Sequence, residues 1–207
     1  MNSNTEQTAA DAAADNERQL AERIHSFWFG TDLYGAFPVE KVRFWHVDPT
    51  DSNGLSEQSD QLAYIEEHFL FLVKSACNGG LSEWQEEPRS CLTLILVLDQ
   101  FAKRLLHSRE YEKQSKVAAL QYCRYGITQN LDKELTPVER SFFYGPLLYA
   151  DKISLRTVGL QMLQNMLDDV SFKDNPFHHH RNHLMVGLYH AVAHKTRAEK
   201  RFLSAIA

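Results

Sequence analysis

The chain is 207 residues long, 43% hydrophobic, 24% charged and 11% aromatic, which supports one domain with a sizeable core and excludes disorder throughout. Its 22 basic and 27 acidic residues leave a formal net charge of −5, which argues against nucleic acid as a partner. Three cysteines, Cys77, Cys91 and Cys123, are far apart and odd in number, so they form neither a disulfide framework nor a metal knuckle and read as reduced, mostly buried thiols. The chain opens with no basic and apolar leader, and no run approaches the ~18 apolar residues of a membrane span, so the expectation is a cytoplasmic protein without membrane contact.

Residues 1–16 are small, polar and mildly acidic and are expected to form a disordered tail, with a single helical domain over 17–207. From Glu17, Leu20, Ile24, Phe27 and Trp28 fall at helical spacing, and Gly30 marks the end of a first helix. Residues 31–59 hold Gly35, Pro38, Pro49 and Gly54 and read as a long loop whose aromatic residues Phe44 and Trp45 plug back into the core. Leu62, Ile65, Phe69, Leu72, Val73 and Ala76 predict a second helix over about 60–77, stopped by Asn78-Gly79-Gly80. Ser82-Glu83-Trp84-Gln85 fits a capping box for a short helical turn before Pro88.

The run Cys91–Leu98 is apolar on nearly every side and continues through Asp99-Gln100-Phe101, which predicts a central helix to Leu106 in preference to a buried strand. Ser108 is a candidate cap for the next helix, which runs to about Thr128. Thr136-Pro137-Val138-Glu139 combines an N-cap, a proline at the first helical position and a capping-box glutamate. Pro146 then predicts a kink or break near Tyr144-Gly145. Ile153 to about Asp169 and Phe177 to about Ser204 read as the last two helices, making the chain all-α with about seven helices in a single compact array.

Several of these segments together resemble a known family. The pieces are Trp84-x3-Pro88-Arg89-x2-Leu92-x-Leu94-Ile95-x2-Leu98-Asp99-Gln100-Phe101, Phe27-Trp28-Phe29-Gly30, Phe44-Trp45, Leu131 to Leu135 and Phe143-Tyr144-x-Pro146-Leu147. In order and spacing they are similar to the bacterial family known as domain of unknown function 924, over about residues 20–170. The resemblance implies a tetratricopeptide-like fold of stacked antiparallel helix pairs, although no self-similar 34-residue period is visible. Three polar groups of the family pattern are altered: Ala102, Lys103 and Arg104 follow the Asp-Gln-Phe, Leu148, Tyr149, Ala150 and Asp151 follow the proline, and His183 to His194 stands at the C-terminal signature. The chain resembles a divergent member.

Asp99 and Gln100 inside an apolar helix need partners, because an uncompensated buried carboxylate is costly. Arg89, Lys103 and Arg156 are candidates to meet Asp99, either pinning helices together or building a polar pocket. The pocket residues singled out are Asp99, Gln100, Arg104, Tyr144 and Tyr149. His179, His183, His190 and His194 fall within roughly 60° of one another around a helix, as two i,i+4 pairs about 10 Å apart, and are candidate ligands for zinc or nickel. No HExxH base, GxSxG elbow, activated cysteine or phosphate loop accompanies them, so no catalytic residue is named. Two functions are in view. One is a non-enzymatic scaffold for a protein or peptide partner, motivated by Phe37, Phe44, Trp45 and Trp84 near loops; a structural or assembly role, including a homodimer through exposed aromatics, stands apart from both. The other is a small-ligand binder or enzyme with a polar pocket around Asp99 and the C-terminal histidines.

Overall fold

The apolar run at the middle of the chain sets the arrangement, since every residue from Cys91 to Leu98 is buried and a helix so enclosed must have neighbours on all sides. The computed structural model describes residues 3–30, 45, 52–106, 109–168, 190–201 and 204, and every regular element among them is helical. The elements are α1 (Ser3–Phe29), α2 (Ser52–Cys77), a 3₁₀ turn (Ser82–Glu86), α3 (Pro88–Leu96), a π-helical turn (Val97–Phe101), α4 (Ala102–Leu105) and α5 (Arg109–Thr128). A 3₁₀ turn (Leu131–Glu134), α6 (Pro137–Phe143), α7 (Gly145–Leu148), α8 (Ile153–Asp168) and α9 (residues 190–201) follow.

α3 is the axis of the array, packed against α1, α5, α6 and the first 3₁₀ turn, while the π-turn meets α2 and α5. α1 presents Ala21, Ile24 and Trp28 to this core and α2 presents Ile65, Phe69, Leu72, Val73 and Ala76, the i, i+3, i+4 sets their sequences carry. Each such large side chain contributes about 1.5–3 kcal/mol by leaving water. Phe101, fully buried, joins the two helices through rings at 5.6 Å from Trp28 and 5.8 Å from Phe69. Trp45 returns to the same region, its indole N–H donating to the Trp28 carbonyl at 3.2 Å and its ring 4.9 Å from Phe142. Phe37 and Phe44 lie outside the described residues, as do Ser108 and the segment around Asn175-Pro176.

The stop signals act where the sequence places them. Gly30 and Gly79 take the left-handed conformation at φ 86° and 82°, open to glycine at no steric cost. Thr136 and Glu139 form the reciprocal capping box at the start of α6, and Pro146 sits in the first turn of α7 after a break at Tyr144.

Other boundaries differ. α1 begins at Ser3, so the backbone of the expected tail is helical: Ala9, Ala10 and Ala12 to Ala14 have the highest helix propensity, and extending an existing helix costs far less than starting one. α2 likewise starts at Ser52, ahead of the apolar periodicity that announces it. The Ser82 capping box does not form; Leu81 takes a left-handed φ of 69°, and the turn is anchored by buried Trp84, whose indole N–H donates to Glu17 of α1 at 3.3 Å.

Candidate functional site

The Asp-Gln-Phe segment is wound as a π-turn. The amide of Ala102 donates to the carbonyl of Val97, five residues back, so the turn holds one more residue than an α-helical one. Val97, Leu98 and Phe101 stay in the core, whereas Asp99 and Gln100 are only half-buried and line a cleft of about 940 Å³. π-turns inside helices are frequent at functional sites.

Within the cleft the Gln100 amide is used at both ends. Its Nε2 donates to Asp99 Oδ2 at 2.6 Å, and its Oε1 accepts from Arg104 Nη1 at 2.9 Å. The same Arg104 nitrogen donates to the Gln100 carbonyl at 2.9 Å, and the guanidinium lies 5.2 Å from the centre of the Trp28 ring, a cation–π contact. Asp99, Gln100 and Arg104 therefore form one fixed chain of hydrogen bonds. Burial pushes the Asp99 carboxyl above its usual range, against the opposing pull of Gln100, Lys103, Arg104 and Lys116. Burial also lowers the Arg104 guanidinium from its usual value.

The facing wall comes from the α6–α7 break. A Cβ added to Gly145 would stand 3.4 Å from Asp99 Oδ2, so the chain passes directly before the carboxylate. Pro146, exposed Tyr149, Asp151 and Lys152 continue this wall, α5 supplies Lys116, Leu120 and Arg124, and α9 supplies Lys195. Trp45, Phe142 and Leu155 give it an apolar part. Six cationic side chains, Lys103, Arg104, Lys116, Arg124, Lys152 and Lys195, face three carboxylates, Asp99, Glu112 and Asp151, and Glu112 is already paired with Lys116 at 2.7 Å. The lining is net positive in a chain whose net charge is −5.

The structure thus brings Asp99, Gln100, Arg104 and Tyr149 together and leaves Tyr144 out. Tyr144 is buried behind the wall, its hydroxyl donating to Asp132 Oδ2 at 2.6 Å, because the last turn of α6 points it at the 3₁₀ turn Leu131–Glu134. The expected cations do not all meet Asp99. Arg89 lies 3.6 Å from Glu139, and Arg156 bonds to Glu199 and to the carbonyls of Ala150 and Asp151; Lys103 alone of the three shares the cleft. Among the described residues no cation stands within 4 Å of the Asp99 carboxylate, and Gln100 takes the role expected of an ion-pair partner.

His190 and His194 are exposed on α9 and do not line the cleft, and His179 and His183 lie outside the described residues. Among the described residues no group of three or more His, Cys, Asp or Glu is arranged to hold a metal ion. Cys91 and Cys123 are buried and Cys77 is half-buried; burial pushes the Cys91 thiol up to about 12 and raises the Cys123 and Cys77 thiols as well.

Sequence patterns alone did not single out Lys116, Arg124, Lys152 and Phe142 as cleft residues: Lys116 and Arg124 share a face of α5, but Phe142 comes from α6 and Lys152 from the link before α8, and only the packing of these segments brings them to one cleft. A second polar cluster went unseen for the same reason: His25 Nε2 and Glu139 Oε1 meet at 2.7 Å across 114 positions, both almost wholly buried.

No helix among the described residues is long and apolar enough to cross a membrane. No curated protein matches the chain. Among solved structures it is similar to a protein of unknown function, ATU0120 from Agrobacterium tumefaciens, with a TM-score of 0.58 at 19% identity over 85% of this chain and 84% of that one. That likeness concerns the fold. A family model described as bacterial protein of unknown function (DUF924) matches residues 24–204, nearly the whole chain, and the protein belongs to this family.

Proposed function

We propose that the protein binds a small organic anion in the cleft beside the π-turn. The observation that carries this is the joining of a fixed Asp99–Gln100–Arg104 chain to a net-positive lining with an apolar side at Trp45, Phe142 and Leu155. A volume of about 940 Å³ lies in the range of small-molecule sites, about 300–1,000 Å³, while the nine charged side chains of the lining make it more polar than most such sites and suit a charged ligand. The excess positive charge would concentrate an anion there and hold it without a dedicated phosphate loop. Two of the altered family segments, Ala102 to Arg104 and Leu148 to Asp151, contribute to this lining through Lys103, Arg104, Tyr149, Ala150 and Asp151, which supports a ligand particular to this chain.

Ligand-observed NMR with a panel of aromatic and aliphatic carboxylates and phosphate esters tests the reading. Binding of anions but not of their neutral amides or alcohols is expected, with loss in a Lys103→Gln/Lys152→Gln variant. No binding, or binding that ignores both the ligand's charge and the substitutions, would overturn it.

The scaffold reading has one observation in its favour: Val117 and Tyr149, which line the same cleft, are 51% and 60% exposed. In that case the cleft takes the acidic end of a peptide. Affinity that rises with peptide length beyond the terminal residue would favour the scaffold, and affinity indifferent to length the small ligand.

A further inference from the structure

We infer that Asp99 reads a hydrogen-bond donor on the ligand, so that the cleft takes organic anions that also carry a hydroxyl or an ammonium group. The inference rests on the anion-binding reading and specifies it. Three features of the site carry it.

The Gln100 amide cannot serve the whole carboxylate. It donates to Oδ2 while its carbonyl end is held by Arg104, and the other oxygen, Oδ1, has no hydrogen-bond donor among the described residues. The carboxylate is set on the π-turn and faced closely by Gly145, where an added Cβ would stand 3.4 Å from Oδ2, so it opens toward the cleft on its other side. Its surroundings also penalise an ionised group, as the direction of its pKa shift indicates.

A ligand that fills the cleft displaces the water now available to Oδ1. A plain anion would leave that oxygen without a donor and would bring its own negative charge beside Asp99, two costs that act together. A hydroxyl or ammonium on the ligand removes the first cost, and an ammonium also offsets the second. The basic residues Lys103, Lys116 and Lys152 then take the anionic end, and Trp45 and Phe142 the hydrocarbon. The acidic centre acts as a filter against simple fatty or aromatic acids, which the basic lining would otherwise admit equally.

Two probe series separate the possibilities by calorimetry on the full chain. 3-Phenylpropionate, 3-phenyllactate and phenylalanine share a carboxylate and a ring and differ at one position by hydrogen, hydroxyl or ammonium. Propyl phosphate and glycerol 3-phosphate make the corresponding comparison for a phosphate. The donor-bearing member of a series is expected to bind about tenfold or more tightly than the donor-free one, the ratio set by a hydrogen bond to a charged acceptor. The ratio is expected to shrink to about twofold in Asp99→Ala, with Asp99→Asn as a second variant whose size is unchanged. The comparison within the parent protein needs neither variant to fold. Equal affinity for donor-bearing and donor-free members, or a preference that both variants retain, overturns the role of Asp99 and leaves the anion cleft standing. Failure of every probe in both series overturns the anion cleft and this inference with it.

Discussion

Gln100 donates to Asp99 at 2.6 Å and accepts from Arg104 at 2.9 Å, so one neutral amide holds apart two groups that a simpler design would pair directly. The arrangement keeps the carboxylate at the edge of the cleft instead of neutralised within the helix. Gln100→Ala removes both side-chain bonds at once and leaves Arg104 the backbone carbonyl of residue 100, and the expected cost is about 1 kcal/mol in chemical denaturation, the worth of hydrogen bonds lost at half-buried groups. An unchanged midpoint would show that water replaces the amide freely.

Asp99 is held in an environment that opposes its charge, and the expected sign of Asp99→Asn is stabilising at neutral pH. The folded carboxyl ionises less readily than the unfolded one, whose ordinary value is 3.8, so the unfolded state loses its proton first. Stability from this group falls as pH rises from 3.8 through the raised value and stays reduced above it. Thermal melts of the parent and Asp99→Asn should therefore diverge above that interval, with the variant higher, and converge in acid. Groups kept at a cost to stability are typical of binding and catalytic sites.

Glu139 behaves in the opposite sense. Burial alone would raise its carboxyl, but the hydrogen bond with His25 and those with Thr136 outweigh burial and hold it below its ordinary 4.5. Its contribution is present above pH 4.5 and is lost as pH falls through the lower, folded value. His25→Ala, which strips a partner from a carboxylate that is 1% exposed, should cost about 3–5 kcal/mol and move the acid unfolding midpoint upward. An acid transition at the parent's pH would contradict this.

Gly126 of α5 lies against two buried side chains: an added Cβ would come within 2.5 Å of the Phe143 ring and 3.3 Å of Cys91 Sγ. Gly126→Ala gains helix propensity, yet overpacking should dominate and lower stability by about 1–3 kcal/mol. A rise in melting temperature would mean that Phe143 moves aside.

The thiols give a chemical check on the core. Cys91 and Cys123 are buried with raised thiols, so in the native protein a thiol reagent should label half-buried Cys77 first and the other two only on unfolding. Equal labelling of all three would contradict the packing around α3.

The helical class, the glycine stops at Gly30 and Gly79 and the Thr136 cap were legible because each depends on local chemistry: a φ open to glycine, or a side chain three residues from an amide. Where neighbours decide, the sequence was silent. Ser82-Glu83-Trp84-Gln85 has the letters of a capping box, but burial of Trp84 and its bond to Glu17 win over the cap. Asp99 and Gln100 were visible as anomalies in an apolar helix, and Arg104 as a pocket candidate within an altered family segment. The extra residue that makes the π-turn leaves no periodic signal in five residues, and the break before Gly145 decided that Tyr149 lines the cleft and Tyr144 does not.

The central claim is that the cleft beside the π-turn is an anion site, and calorimetric titration at low and raised salt tests it most directly. Parent protein and the Lys103→Gln/Lys152→Gln variant would be titrated with 3-phenyllactate and with glycerol 3-phosphate. The account predicts saturable binding of at least one, weakened by salt and about tenfold weaker in the variant, as loss of charge contacts at a partly screened site requires. Absence of saturable heat with both, or affinities identical in the two proteins, would contradict it.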